Sequence, residues 1–170
     1  MSLAPGIEIE ALPPPEVLWN SCDGMMVIDE DRRILAMNPA METLTGYSAE
    51  AVVGKMSCAV LFSCRDFHGC RLADHPQECP GLKAIQRYQP VRHAEYIIQT
   101  AEGKERVIQA SYTPIQLPGR PVWDLVVMRD ATAQNRRERR LAHRAMTDPL
   151  TGLPNREVFF RVFSREMNRS

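Results

Sequence analysis

Four of the chain's five cysteines fall close together in the sequence, and they are the residues best suited to chemistry. They are Cys58, Cys64, Cys70 and Cys79, with five, five and eight residues between successive members. Four soft thiolates from one segment can hold a tetrahedral zinc ion or an iron–sulfur cluster. Zinc motifs usually place paired ligands about two to four residues apart, so this spacing is unusual for zinc. The same side chains can also be reduced or redox-reactive thiols that pack as small hydrophobic groups, and both interpretations stay open.

Other sequence features limit the cofactor and the compartment. Covalent attachment of c-type haem needs Cys-x-x-Cys-His, which does not occur in the chain. Five is an odd number of cysteines, and no charged and apolar leader opens the chain, so a disulfide framework in an exported protein is not expected. We therefore expect a cytoplasmic location.

The composition excludes several classes of protein. The chain has 170 residues, 44% of them hydrophobic, with 21 basic against 21 acidic side chains. This is typical of one globular domain of about 100–150 residues with extensions. No apolar run approaches the ~18–20 residues that a membrane span needs. A net charge of zero favours neither nucleic acid nor an anionic membrane as a partner.

The elements that must position the cysteines begin with two strands. The apolar run at 25–28 and the run at 33–37, which is apolar after Arg33, flank a polar turn, a pattern that predicts paired strands. Asn38-Pro39 then predicts the N-cap and first turn of a helix, and Gly46 its end. A hairpin followed directly by a short helix is therefore expected.

The sequence after this helix predicts more short helices and then a meander. A second helix is expected between Ser48 and Gly54, residues 55–80 lack periodicity, and a helix is expected from Pro80 to Tyr88. Strands are expected at 93–100, 106–115 and 121–129. Compact turns between strands of this length favour antiparallel pairing. The order of elements predicts an α+β fold with one antiparallel sheet.

Residues 16–132 resemble a PAS domain, the small sensory module of bacterial signalling proteins. The resemblance is carried by Asp23-Gly24 with the following MMVIDEDRRILAMNPAMETLTGYSAEAVVGK, by GKERVIQASYTPI and by VWDLVVMRDAT. It implies the PAS fold, a five-stranded antiparallel sheet with short helices on one face. It also implies that Asp130 and Thr132, at the end of the last strand, relay the signal into the helix that follows.

The segment DPLTGLPNR resembles the opening motif of GGDEF domains, the diguanylate cyclases. The matching residues are Asp148, Leu150, Thr151, Gly152, Leu153, Asn155 and Arg156. Apolar residues at helical spacing predict an amphipathic helix over about 156–168. The chain ends fifteen residues after Asn155, so the acidic metal ligands and signature loop of that family have no counterpart here. The resemblance implies a parent diguanylate cyclase, but no catalytic residue and no enzyme activity in this chain.

These resemblances divide the chain into four segments. We expect a disordered leader (1–15), a PAS sensor domain (16–132), a helical signalling linker (133–147) and the truncated start of a GGDEF domain (148–170). Each segment has a separate expected role, and the linker would carry the signal from the sensor to the cyclase.

The linker is strongly basic. Its segment QNRRERRLAHR holds five arginines and one glutamate, a pattern that can bind nucleic acid or acidic lipid. Because the segment joins two signalling regions, we interpret it instead as a solvated helix and expect no nucleic-acid partner. Leu141, Ala145 and Met146 provide a thin apolar seam, so we expect a homodimer through the PAS domain and this helix.

The resemblance also bears on the cofactor. In flavin-binding PAS domains of the light-oxygen-voltage type, the reactive cysteine comes three residues after a glycine, and here that position is Ser57. Cys58 follows one residue later, and a helical rotation of about 100° is expected to turn its sulfur away from a flavin. The expected helix at 80–88 contains no histidine for haem. Flavin and haem are therefore not expected, and the ligand stays unknown.

Three functional alternatives remain open at this point. The domain could sense a small-molecule ligand or a redox state, with the cysteine segment as the reactive part. That segment, which ends in Cys79-Pro80, is similar to insertions in other bacterial PAS domains and could make the domain a metal-dependent or iron–sulfur redox sensor. The domain could also be a dimerisation module without a ligand.

Overall fold

The computed structural model describes residues 20–116, 119 and 121–146 of the 170-residue chain. The strands are β1 (Gly24–Ile28), β2 (Ile34–Met37), β3 (Val91–Gln99), β4 (Glu105–Gln116) and β5 (Val122–Asp130). The helices are α1 (Pro39–Thr45), α2 (Ala49–Val52), α3 (Cys58–Phe62), α4 (Pro80–Arg87) and α5 (Thr132–Met146), with a 3-10 turn at Pro76–Glu78. Among these helices, none combines the length and the apolar character needed to cross a membrane.

The strands form one antiparallel sheet in the order β2-β1-β5-β4-β3. The last strand in the sequence is therefore the central strand of the sheet. Along β5, Met128 lies opposite Gly24 of β1, and Val122 lies opposite Gln116 of β4. The predicted α+β fold with five antiparallel strands is confirmed.

The short helices pack on one face of the sheet and enclose the main hydrophobic core. Val126 and Met128 of β5 lie in this core with Met41 of α1, Phe62 of α3 and Ala84 of α4. Successive side chains of a strand point to opposite faces, and a smaller buried cluster occupies the other face: Val27, Leu35, Ala36 and Trp123. Alternate residues of β5 thus contribute to both clusters.

Asn38 connects the first hairpin to the first helix. Its side-chain oxygen accepts hydrogen bonds from the backbone N–H of Met25 (2.8 Å) and of Met41 (2.9 Å). Its amide nitrogen donates to the carbonyl oxygen of Asp23 at 3.0 Å. Gly46 then ends α1 in the left-handed conformation, with φ of 79°. The predicted N-cap and helix end are confirmed.

The region without periodicity contains a helix that the sequence analysis missed. Residues 58–62 form α3, which is only five residues long and therefore too short to show a helical repeat. Ser57 caps it, because the Ser57 side chain accepts a hydrogen bond from the N–H of Ala59. Ser63 ends it in the left-handed conformation. Local capping, rather than apolar spacing, thus determines this helix.

Several expectations fall on the ends of the chain. The sequence also predicts a short helix over about 16–22, with Val17 and Leu18 on one face. Residues 20–22 do not belong to a helix, and the earlier residues lie outside the described part. The leader at 1–15, the GGDEF-like segment at 148–170 and its helix at 156–168 also lie outside it. The chain forms two compact units, Met1–Ala131 and Thr132–Ser170, and the linker helix α5 opens the second.

Replacing Asn38 tests how the hairpin and helix are joined. Asn38→Ala removes the acceptor for two backbone N–H groups, so we expect the free energy of unfolding to fall by about 2–4 kcal/mol. Urea denaturation followed by circular dichroism measures this change. The matched control is Thr43→Ala in the same helix, where an exposed hydroxyl only donates to the Pro39 carbonyl oxygen. Equal effects of the two variants would contradict the central role of Asn38.

Candidate functional site

A small cavity lies between the helices and the inner face of the sheet. Its volume is about 30 Å³, enough for about two water molecules. Most of its wall is apolar, with contributions from Met26, Ile28, Phe62 and Met128. Its polar lining comes from three thiols, two tyrosine hydroxyls and the side chain of Arg32. The cavity therefore combines soft sulfur atoms with few hydrogen-bonding groups.

Three of the four clustered cysteines meet at this cavity. Cys58 begins α3, Cys64 follows that helix, and Cys79 directly precedes α4. The intervening loop folds back on itself, since the N–H of Leu72 donates to the carbonyl oxygen of Cys64 at 2.8 Å. Cys58 is buried, whereas Cys64 and Cys79 are partly exposed. The tertiary structure thus brings together thiols that are up to 21 residues apart in the sequence.

The loop that carries Cys64 also covers an edge of the sheet. The backbone of Arg65 exchanges two hydrogen bonds with Ile97 of the edge strand β3, at 2.9 and 2.8 Å. The guanidinium of Arg65 forms an ion pair with Glu105 at the start of β4. These contacts hold Cys64 against the sheet and so determine where its thiol lies.

The fourth cysteine of the cluster lies elsewhere. Cys70 is exposed and does not line the cavity, and Cys22 is exposed as well. Among the residues that the structure describes, no group of three or more His, Cys, Asp or Glu side chains is arranged to hold a metal ion. A metal or iron–sulfur site made by Cys58, Cys64, Cys70 and Cys79 therefore stays a prediction.

Burial controls the ionisation of the cavity thiols. It raises the pKa of Cys58 well above its ordinary value, and the neighbouring thiols of Cys64 and Cys79 add to the rise, while Arg32 opposes it. Burial, with a smaller contribution from Cys79, raises the pKa of Cys64 to about 12. At neutral pH both thiols are protonated, and a protonated thiol is a weak nucleophile and a poor metal ligand.

Two tyrosines provide the other polar groups of the cavity. The hydroxyl oxygens of Tyr96 on β3 and Tyr112 on β4 lie 2.7 Å apart and share a hydrogen bond. Burial is the main cause that raises the pKa of both phenols well above the ordinary value. Because one hydrogen bond uses one of the two phenol protons, the pair can still donate a proton to a third group.

The structure places Cys58 at the cavity. Ser57 is the N-cap of α3, and Cys58, one residue later, is buried and lines the cavity. The expected rotation of its sulfur away from a flavin and the expected absence of flavin both stay predictions.

Ion pairs hold both edges of β5 near its end. Arg129 donates two hydrogen bonds to the Asp23 carboxylate, at 2.8 and 2.7 Å. The guanidinium of Arg106 on β4 donates to Asp130 at 2.7 Å, and the N–H of Ala131 donates to the carbonyl oxygen of Val107. The signal relay assigned to Asp130 and Thr132 stays a prediction, but Asp130 is anchored to the sheet where α5 begins.

Asp124 is a buried acid that the sequence analysis overlooked. It lies on β5 between Ile28 of β1 and Pro114 of β4, and it has no exposed surface. Its carboxylate oxygens have no hydrogen-bond partner within the described residues. Burial raises the pKa of Asp124 to about 8, although the nearby backbone of Thr113 opposes the rise. A single acid inside the apolar run WDLVVM is the sequence signal that could have revealed it.

Comparison with known proteins identifies the family. The PAS fold family matches residues 14–131, which is most of the chain and the whole sheet. Together with the five-stranded antiparallel sheet and the helices on one face, this shows that the chain belongs to the PAS fold family.

The chain is similar to parts of larger signalling proteins. It is 28% identical over 129 residues to the signal transduction histidine-protein kinase AtoS of Escherichia coli (strain K12), covering 74% of this chain and 19% of that protein. It is 29% identical over 140 residues to the diguanylate cyclase DgcM of Escherichia coli O157:H7, covering 81% of this chain and 32% of that protein. The chain thus spans a third or less of either relative.

Solved structures show the same fold. The PAS domain of nitrogen regulation protein NR(II) from Vibrio parahaemolyticus has a TM-score of 0.54 at 22% identity, with 70% of this chain and 98% of that chain covered. An RNA-binding light-oxygen-voltage receptor has a TM-score of 0.60 at 22% identity, with 85% of this chain and 40% of that chain covered. These two structures therefore share the PAS fold with this chain.

The buried acid gives the domain a defined dependence on pH. The pKa of Asp124 is raised from 3.8 to about 8 in the folded protein, so the folded state holds a proton that the unfolded state has lost. The stability should therefore fall as the pH rises through this window, by at most about 1.4 kcal/mol per pH unit. We expect Asp124→Asn to flatten this slope in urea denaturation between pH 5 and pH 8.

The deciding measurement is the slope of the free energy of unfolding against pH. The absolute free energy cannot decide, because the buried amide introduced by Asp124→Asn itself changes the stability. Glu50→Gln at an exposed position of α2 is the matched control and should keep the slope of the unmodified protein. A slope that is the same in Asp124→Asn would show that Asp124 ionises normally in the folded state.

Proposed function

We propose that this PAS domain is the sensory part of a bacterial diguanylate cyclase, which makes cyclic di-GMP. The observation that carries the proposal is the GGDEF-like segment from Asp148 to Arg156, which follows the linker helix α5. The similarity to DgcM at 29% identity supports the same output. The chain itself has no counterpart of the cyclase signature loop, so we expect it to sense rather than to catalyse.

The geometry supports a route from the cavity to the output helix. Tyr112 and Met128 line the cavity, and Met128 lies on β5, two residues before Asp130. Directly after Asp130 and Ala131, α5 begins at Thr132. A change at the cavity wall would therefore act on the strand that continues into the linker, where Asp130 and Thr132 would relay it. In a homodimer, the paired linkers would bring two cyclase domains together.

The size of the cavity favours a small signal. A volume of about 30 Å³ suits a ligand of very few atoms or a reaction of the thiols themselves. It also favours the second candidate function, a dimerisation module without a ligand, because the domain's own side chains fill most of the interior. A metal-dependent redox sensor remains the third alternative. We further propose a cytoplasmic location and no nucleic-acid partner.

Two chimeras distinguish the proposed output from that of a histidine kinase. Residues 1–147 would replace the corresponding sensory region of DgcM in one chimera and that of AtoS in the other. We expect the DgcM chimera to produce cyclic di-GMP from GTP and Mg²⁺ and to lose at least about half of its activity with Asp130→Ala, since an output of this kind is coupled by about 1 kcal/mol or more. The chain alone should give no product.

The control for the relay is Glu102→Ala, an exposed residue in the turn between β3 and β4. It should leave the activity of the DgcM chimera unchanged. One pair of results would contradict the cyclase assignment and favour a kinase output. In it, Asp130→Ala lowers the kinase activity of the AtoS chimera but leaves the cyclase activity of the DgcM chimera unchanged.

The linker helix should contribute to a dimer through its apolar seam. Leu141 is 63% exposed on α5, and a charge at a seam position opposes pairing. We expect Leu141→Asp to weaken the dimer about tenfold or more, measured by sedimentation of the whole chain. Asn135→Asp introduces the same charge about 120° away around the helix and should change the dimer little. A monomeric unmodified chain would contradict this prediction.

A further inference from the structure

We infer that Cys79 and Cys64 form a thiol–disulfide pair that reacts with hydroperoxides at the rim of the cavity. This inference rests on the proposed role of the cavity as the input site, and it names the signal as an oxidant. It differs from the four-cysteine cluster suggested by the spacing, because Cys70 takes no part and Cys58 stays reduced.

The two cysteines occupy matching positions at the cavity. Cys64 follows the end of α3, Cys79 precedes the start of α4, and both are partly exposed while Cys58 is buried. Both line a cavity of only about 30 Å³, so their side chains lie near one another. Among the charges that act on the Cys64 thiol, that of Cys79 has the largest effect. Of the three cavity cysteines, these two are the ones with some exposed surface.

The backbone around the two thiols gives them different roles. The loop that carries Cys64 is held against the sheet by the Arg65–Ile97 hydrogen bonds and closed by the bond from Leu72 to the Cys64 carbonyl oxygen. Cys79 lies at the junction between the 3-10 turn and α4, outside that bonded loop. We therefore assign Cys79 as the attacking sulfur, which reacts through its thiolate form as any cysteine does, and Cys64 as the resolving thiol.

The reaction balances with one hydroperoxide. The Cys79 thiolate attacks the terminal oxygen, an S–O bond forms and the O–O bond breaks. The departing alkoxide, or hydroxide when the oxidant is hydrogen peroxide, takes up a proton and leaves as alcohol or water. The Cys64 sulfur then attacks the sulfenic sulfur of Cys79, an S–S bond forms, the S–O bond breaks, and hydroxide leaves as water with the Cys64 proton. Two thiols lose two electrons in total, and the hydroperoxide gains them.

The disulfide would act on the sheet through the close packing of α4. Gly81 lies two residues after Cys79, and a methyl group at Gly81 would come within 3.2 Å of the side chains of Ile28 and Tyr112. The start of α4 therefore approaches the sheet closely at Gly81, beside the cavity. A displacement of Cys79 toward Cys64 would act on this contact with Tyr112, which lies opposite Val126 of β5. Through this contact the oxidised pair would act on the strand that leads into α5.

The test uses the whole chain with Cys22→Ser and Cys70→Ser, which removes both exposed cysteines and leaves three thiols of the original five. After treatment with hydrogen peroxide, peptide mapping without reductant should show a Cys64–Cys79 crosslink, and the thiol count should fall from three to one. Adding Cys58→Ser should preserve the crosslink. With Cys64→Ser, Cys79 should accumulate as a sulfenic acid that dimedone traps, and with Cys79→Ser both the crosslink and the dimedone adduct should be lost.

Peptide mapping of the protein with Cys22→Ser and Cys70→Ser is enough to test the Cys64–Cys79 pair, even if a further variant fails to fold. The inference is overturned by a crosslink that includes Cys58, by three thiols that persist in peroxide, or by a metal ion bound to the thiols of anaerobically purified protein. These measurements need no cyclase, so failure of the chimeras leaves them intact, and failure of the crosslink leaves the cyclase output intact.

Discussion

The pairing of β5 on both of its edges is the constraint on which the rest of the domain depends. The hairpin of β1 and β2 and the hairpin of β3 and β4 lie on opposite sides of this strand, so neither belongs to the sheet without it. Its side chains enter the main core on one face and the smaller cluster on the other. A strand that is buried on both faces and bonded on both edges can move only if its neighbours move with it.

This constraint supports the proposed route from the small cavity to the output. The cavity wall includes Tyr112 of β4 and Met128 of β5, and Arg106 and Asp23 hold the last residues of β5 at either edge. Under this proposal the cavity needs no large ligand, because a shift of one wall residue would act directly on the paired strands. A reaction of two thiols at the rim is a signal of the appropriate scale.

The same burial makes the polar groups of the interior unusual. Cys58, Cys64, Tyr96 and Tyr112 are all held in their protonated forms. Asp124 has no hydrogen-bond partner among the described residues, and its pKa is raised for the same reason. Burying an acid without a hydrogen-bond partner lowers the stability of the fold. Acids with strongly shifted pKa values cluster at functional sites. The interior is thus kept neutral at moderate pH, and proton loss or thiol oxidation would disturb it.

Local sequence was enough to predict much of the fold. Asn38-Pro39 and Gly46 bound a helix through caps that act within a few residues. Apolar runs separated by turn residues predicted all five strands to within about two residues. The helix α3 could not be predicted in this way, because its five residues are positioned by capping and by packing against the sheet. The burial of Cys58 at the cavity could not be predicted for the same reason, since it depends on where that helix begins.

The sequence by itself therefore determined the class of fold, the order of the elements and the presence of a cysteine-rich segment. These depend on short-range periodicity, caps and turns, which any local stretch of chain expresses. Only the tertiary structure decided that β5 lies at the centre of the sheet, that Cys58, Cys64 and Cys79 share a cavity without Cys70, and that Asp124 is buried. Such facts depend on contacts between residues far apart in the chain, and the spacing of residues along a sequence does not specify which distant surfaces meet.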